Sequence, residues 1–333
     1  MKSFKINSND SGQRLDKYVG KCVPLLPDSL LYKYIRLKRI KVNGERAKIS
    51  TRLKQGDIVD MYINDEFFEK ADKKYDFLAA SKSLDIVYED ENILILDKKP
   101  GLLSHPDEGE YNDTLITRVK RYLYEKGSFN PADENSFAPA LVNRIDRNTR
   151  GIVIAAKNAQ SLRILNQIMK KRQLHKYYIC VVHGTPEQGK RLPDGWYFID
   201  GWLVKDEKKN QVKIYPSNKV GSKQIQTKYR VIDSYGGLSL VEVDLLTGRT
   251  HQIRAHMAGI GHPLLGDGKY GINQLNRKYG YKKQLLCSYR LEFDFRFDAG
   301  ILDYLNGKSF EINNIWFVKD FKEKALIPQS NNM

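Results

Sequence analysis

The sequence predicts an α+β protein in two units, a small basic N-terminal one and a large one built on a mixed, mainly antiparallel sheet. Three observations predict it. Residues 1–66 fit two amphipathic helical stretches and an Asn-Gly hairpin into a short length. From Asp85 onward β-type runs dominate, with helical patterns between them. Residues 67–83 (FFEKADKKYDFLAASKS) are polar, mixed in charge, and read as a linker. The expected boundaries are therefore 1–66, 67–83 and 84–325, with a loose tail beyond.

In the first unit, SGQRLDKYVGKCV places Leu15, Tyr18, Val19 and Cys22 at helical spacing. PLLPDS interrupts it, and Asp28 or Ser29 caps a second amphipathic stretch, LLYKYIRLKR. IKVNGERAKI reads as a hairpin turning at Asn43-Gly44, because both central positions of a tight hairpin need φ > 0. A further short strand, DIVDMYI, follows Gly56. In the second unit the strand runs are IVYEDENILILDKKPG, GIVIAAK, KYYICVVHG and TKYRVIDSYGGLSLVEVDLLTG. TLITRVKRYLYEK and AQSLRILNQIMKKRQL carry the helical period, and IWFVKDF closes the unit.

Charge narrows the partner. The chain has 333 residues and a net charge of +16, from 56 Lys+Arg against 40 Asp+Glu. Residues 1–60 hold 14 of those bases and 6 of the acids, so half the excess lies in under a fifth of the chain. Such a footprint calls for an anionic partner, most commonly nucleic acid. Cys22, Cys180 and Cys287 are far apart and form no C-x-x-C pair, which suits a reducing compartment rather than a disulfide framework. No apolar run reaches the ~18 residues of a membrane span, and the start, MKSFKINSND, has no apolar leader. The expectation is a cytoplasmic, soluble monomer with no membrane role.

Three segments carry chemistry. In LVNRIDRNTRGIVIAAKN, Asp146 stands on a turn with Arg144, Arg147 and Arg150. Neighbouring guanidinium groups favour a carboxylate, which can act as nucleophile or base; a salt-bridged turn explains the same pattern. In HKYYICVVHG, Tyr178 opens a short strand, a position that also suits a core aromatic. In LLTGRTHQIRAHMAGIGHPLLGDGKYG, Arg249, Thr250, His251, Gln252, Arg254 and His256 crowd together, as a site or as a polar network holding a helix end. His251 and His256 are five apart without a Glu partner, so no metal is expected.

Together and in this order the three segments resemble the RluA family of pseudouridine synthases. The family's H-R-L-D-x-x-T-S-G turn is matched by Asn143 to Gly151, its K-x-Y-x-A-x-V-x-G strand by Lys176 to Gly184, and its T-G-R-x-H-Q-I-R-x-H block by Thr247 to His256. The following G-x-P-x-x-G-D-x-x-Y-G is Gly261 to Gly271, and Lys99-Pro100-Gly101 with His105-Pro106 matches K-P-x-G…H-P. Asn143, Arg150 and Cys180 depart from the usual His, Ser and Ala; Arg150 would add charge beside the carboxylate. Arg14-Leu15-Asp16, Tyr34-Ile35, Ile40 to Gly44 and Leu53 to Asp57 resemble the αL-type RNA-binding domain named after small-subunit ribosomal protein four.

The resemblance implies an isomerase that breaks the uridine N1–C1′ bond, rotates the base and rejoins it through C5, without a cofactor. It implies Asp146, Tyr178 and Arg254 as catalytic, with Arg144 near the flipped nucleotide and Arg249, His251 and Gln252 as substrate-binding. It implies that Arg14, Lys33, Arg36, Lys38, Arg39, Lys41 and Arg46 bind RNA. With the basic unit in front, the chain looks like the RluC and RluD branch, whose target is large-subunit (23S-type) ribosomal RNA or its precursor. The alternatives are a transfer-RNA synthase of the same family and a non-catalytic RNA-binding or ribosome-assembly factor.

Overall fold

The computed structural model describes residues 1–68 and 71–326. The N-terminal unit runs β1 (Lys2–Lys5), α1 (Leu15–Cys22), α2 (Asp28–Arg36), β2 (Ile40–Val42), β3 (Glu45–Arg46) and β4 (Ile58–Met61). Its sheet order is β1-β4-β2-β3. Leu15, Tyr18 and Val19 of α1 and Leu31, Tyr34 and Ile35 of α2 are buried against Ile40, Val59 and Met61, so the helical periods face one core. Asn43 and Gly44 both have positive φ, as the two-residue hairpin requires. Strand β1 has no counterpart in the sequence pattern, because K-S-F-K is a short, largely exposed edge strand.

The large unit contains β5 (Ile86–Glu89), β6 (Ile93–Lys98), α3 (Leu115–Glu125), β7 (Ala140–Leu141), β8 (Arg150–Ala156), α4 (Ala159–Lys170) and β9 (Leu174–His183). It continues through β10 (Lys190–Arg191), β11 (Tyr197–Asp206), β12 (Gln211–Tyr215), β13 (Lys223–Tyr235), β14 (Leu238–Asp244), α5 (Gln252–Gly259) and α6 (Asn273–Lys278). It ends with β15 (Leu286–Phe293), β16 (Ser309–Glu311) and α7 (Trp316–Lys322). The main path is β10-β11-β13-β14-β9-β15-β8-β6-β5. Every pairing is antiparallel except β15 with β8.

The central strands are apolar on both faces because both faces are covered. On β9, Ile179 and Val181 join the core under α4 and α7, with Leu165, Ile168, Phe317 and Phe321. Tyr178, Cys180 and Val182 join the opposite core under α3 and α5, with Leu115, Val119, Ile253 and Met257. The period of two therefore selects the face on which Tyr178 emerges. Helix α3 is capped by Thr114 and α4 by Asn158, whose side chains accept from Thr117 N and Ser161 N.

Residues 67–83 carry apolar contacts to the large unit. Residues 69 and 70 lie outside the described residues, but Phe77 and Ala80 are buried, and Phe77 packs with Leu123 and Phe129. Phe77 thus anchors the segment's second half on the large unit's core. Its charged composition hid two apolar anchors.

The two units meet through polar side chains. Asp10, fully buried, accepts from Ser136 Oγ at 2.5 Å and Asn135 Nδ2 at 2.8 Å. Asn9 Oδ1 accepts from Ala159 N at the start of α4, while its Nδ2 donates to Glu134 at 2.6 Å. Arg163 donates to Ser11 O at 2.8 Å.

Candidate active site

Asp146 lies on the turn between β7 and β8, and backbone bonds hold that turn. Its own carbonyl accepts from Thr149 N, Ile145 O accepts from Ser104 Oγ, and Arg147 O accepts from Gly101 N. The Arg147 carbonyl also accepts from Lys98 Nζ at 2.9 Å. Lys98 is fully buried and donates to the Lys99 and Leu102 carbonyls as well, so each ammonium hydrogen has an acceptor. Burial lowers its pKa, opposed by Asp146 and Asp97. This lysine was missed in favour of Lys99, which is half-exposed and pairs with Asp97 and Asp85.

Two departures from the family turn now have physical reasons. Asn143 Oδ1 accepts from Ile154 N at 2.8 Å and its Nδ2 donates to Ile152 O at 3.2 Å, so the side chain pairs with β8 like a strand residue. Arg150 does not stand beside the Asp146 carboxylate. It forks onto Asp97 at 2.8–3.2 Å and donates to Asn314 O, while Arg147 donates to Gly101 O. Two of the three turn arginines, Arg147 and Arg150, are therefore engaged elsewhere, since strand β8 carries Arg150 towards β6, while Arg144 lines the cavity with Asp146. Gly151 has φ 134°, and a Cβ there would lie 2.3 Å from Ser288 O on β15, so the parallel crossing admits only glycine.

The cation that meets Asp146 comes from α5. Arg254 Nη1 donates to Asp146 Oδ2 at 2.9 Å, and its Nε and Nη2 fork onto Asp267 at 2.7 and 2.9 Å. The carboxylates differ in access: the Asp146 side chain is 24% exposed and that of Asp267 is 0%. Asp267 also accepts from Lys269 N and Tyr270 N. Burial alone would raise its pKa, but Arg254 and these backbone bonds hold it below the usual value. Asp267, at the end of the G-D signal, was not singled out from sequence although it fixes the arginine.

His251 starts α5 in the left-handed region at φ 53°. Its Nδ1 pairs with Tyr270 Oη at 2.9 Å and its Nε2 lies 3.9 Å from Asp146. Burial pulls its pKa down to about 4, so the ring is neutral at pH 7. Burial pushes Tyr178 up to about 12, leaving a neutral phenol. Gln252 lines the same cavity, and its amide is hydrogen-bonded within the fold: it accepts from Thr247 Oγ1 and Arg249 N and donates to Gln226 O and Thr227 Oγ1. Its block looks catalytic in sequence because support and chemistry share one helix start.

Asp146, Tyr178 and Arg254 line one cavity of about 360 Å³, with His105, Arg144, Lys176, Arg249 and His251. That volume lies in the range of small-ligand pockets. The N-terminal basic residues are elsewhere. Lys33, Arg36, Lys38, Arg39 and Arg46 are exposed and Lys41 half-buried; none forms an ion pair with a described residue. A groove of about 560 Å³ brings Arg36, Arg46 and Lys48 together along α2. Arg14 departs from the group, forking onto the buried Asp16 at 2.9 and 3.1 Å. It stands at the start of α1.

The model of the RNA pseudouridylate synthase family matches residues 92–259. An uncharacterized RNA pseudouridine synthase of Mycoplasma capricolum is 33% identical over 318 residues, covering 95% of this chain and 99% of its own length. This chain belongs to the RNA pseudouridylate synthase family. Ribosomal large subunit pseudouridine synthase D of Borreliella burgdorferi is 34% identical over 258 residues, covering 76% of this synthase and 74% of the relative. The human RNA pseudouridylate synthase domain containing 4 shares the fold with a TM-score of 0.53 at 18% identity, over 74% of this chain and 95% of that one. The synthase is accordingly an RNA uridine isomerase. Among the described residues, no helix is long and apolar enough to cross a membrane.

Proposed function

We propose that the chain converts uridine to pseudouridine in large-subunit ribosomal RNA, with Asp146 as the reacting carboxylate. One observation carries the catalytic assignment: Arg254, clamped by buried Asp267, engages one Asp146 oxygen and leaves the carboxylate open to the cavity. A flipped uridine enters that cavity, since its reacting atoms are out of reach within a base stack. Asp146 starts cleavage of the N1–C1′ bond, the uracil turns, C5 joins C1′, the C5 proton leaves and N1 takes one up. Product and substrate have the same atoms, so no cofactor enters the balance. Arg254 orients the carboxylate through a charge-assisted hydrogen bond. Tyr178, neutral and buried, stacks on the base; Arg144 and Arg249 face the RNA backbone at the cavity.

Residues 1–66 act as the docking unit for RNA, of the type named after small-subunit ribosomal protein four. Support comes from the exposed row Lys33, Arg36, Lys38, Arg39, Arg46 and the half-buried Lys41. The names of the Borreliella relative and of ribosomal large subunit pseudouridine synthase C of Vibrio cholerae, 28% identical over 296 residues, support the ribosomal target. The reading places the protein in the cytoplasm as a monomer.

Asp146→Asn should keep its melting temperature and RNA affinity and make no pseudouridine by carbodiimide labelling. Turnover above background in that variant refutes the assignment. Loss of pseudouridines from large-subunit RNA in cells lacking the gene is expected; loss confined to transfer RNA overturns the target.

A further inference from the structure

Lys176 is a cavity cation that the catalytic reading leaves unused. It stands on β9 two residues before Tyr178, so both side chains turn to one face of the sheet, and both line the cavity. Its ammonium makes no hydrogen bond or ion pair with any described residue. Asp244 attracts it through space without pairing, and one buried oxygen of Asp244 has no partner either. Partial burial holds the lysine's pKa below the ordinary value. The Nζ lies 3.3 Å from where a Cβ on Gly248 would stand, beside the loop that presents the exposed Arg249.

Removing a charge from water without a counter-charge destabilises a fold. This chain otherwise pairs its buried cations. Arg254 has two carboxylates, Lys157 has Glu89, and Lys98 has three carbonyls. Lys176 breaks that habit at the wall of the cavity, where a polyanion must enter.

We propose that Lys176, with Arg249 beside it, receives a backbone phosphate of the RNA strand whose uridine occupies the cavity. The assignment rests on the synthase reading above. Affinity is measured in an Asp146→Asn background and turnover with Asp146 intact, on a transcript whose uridine the wild type converts. Lys176→Met should weaken binding on the order of tenfold at 0.1 M salt. Its log K against log salt slope should be shallower by about 0.9, the value for one duplex phosphate (about 0.7 for a single strand). Lys176→Arg should restore the slope. The Met variant should melt at or above the wild-type temperature, because an unpaired charge has been removed.

An unchanged slope with a fall confined to kcat assigns the lysine to the base and overturns the proposal. A lowered melting temperature with unchanged affinity identifies a structural lysine and also overturns it. Failure of the wild type to make pseudouridine on any RNA sinks the synthase reading itself, a separate outcome.

Discussion

The support of the Asp146 turn and the basic N-terminal face both use arginine and lysine, in opposite ways. The two cations that fix the Asp146 turn are buried and committed: Arg254 lies between two carboxylates and Lys98 is spent on three carbonyls. Along α2 and the hairpin they are exposed and lack carboxylate partners among the described residues. The first arrangement fixes geometry, is shielded from salt, and makes each member costly to remove. The second leaves charge available to an incoming polyanion, is salt-sensitive, and adds little to folding.

The sharpest way to break this contrast is Asp267→Ala. It strips the buried Arg254 of its forked partner and should lower stability by about 3–5 kcal/mol, read by urea unfolding, with turnover lost as well. Lys98→Met should cost less, about 1–3 kcal/mol, for carbonyls left without a donor, with kcat falling more than RNA affinity. Acid comes next. Burial pulls His251 and His256 down to about 4 each, so between roughly pH 6.5 and 4 the unfolded chain binds two protons that the folded chain refuses. Stability should therefore fall as pH drops through that window and stay flat, as far as these groups go, above it. A pH series of melting temperatures checks this, and His256→Gln should make the fall shallower.

The smallest effect on folding belongs to the other side of the contrast. Replacing Arg36, Arg39 and Arg46 with Gln should change stability by under about 0.5 kcal/mol, while the salt slope of RNA binding becomes markedly shallower. A large loss of stability in that variant would erase the distinction between the two regions.

Much of this was legible because local rules and fold agree. The Asn43-Gly44 turn, the apolar spacing of α1 and the alternation on β9 each follow from one period or one dihedral requirement. The order of three polar segments indicated which side chains share a site, and Asp146, Tyr178 and Arg254 line one cavity. What escaped was support rather than chemistry. Arg150 and Gln252 carry functional-looking side chains whose polar atoms are spent on Asp97 and on β13. Lys98 and Lys99 are adjacent in sequence, and only strand direction decides which is buried. Asp267 reads as part of a turn until α5 brings Arg254 onto it. Phe77 is one ring in a charged stretch, and no period marks it.

The polar clamp of Asn9 and Asp10 on Glu134, Asn135, Ser136 and the first turn of α4 joins the basic unit to the large one. With the units joined this way, the basic helix and the Asp146 cavity stand like the two points of a pair of dividers. If α2 grips RNA, the uridine converted is the one lying a set arc from that foothold. Choice of nucleotide then becomes a matter of length measured along a folded RNA, and breaking the Asn9 and Asp10 contacts would redirect the enzyme without altering any reacting group.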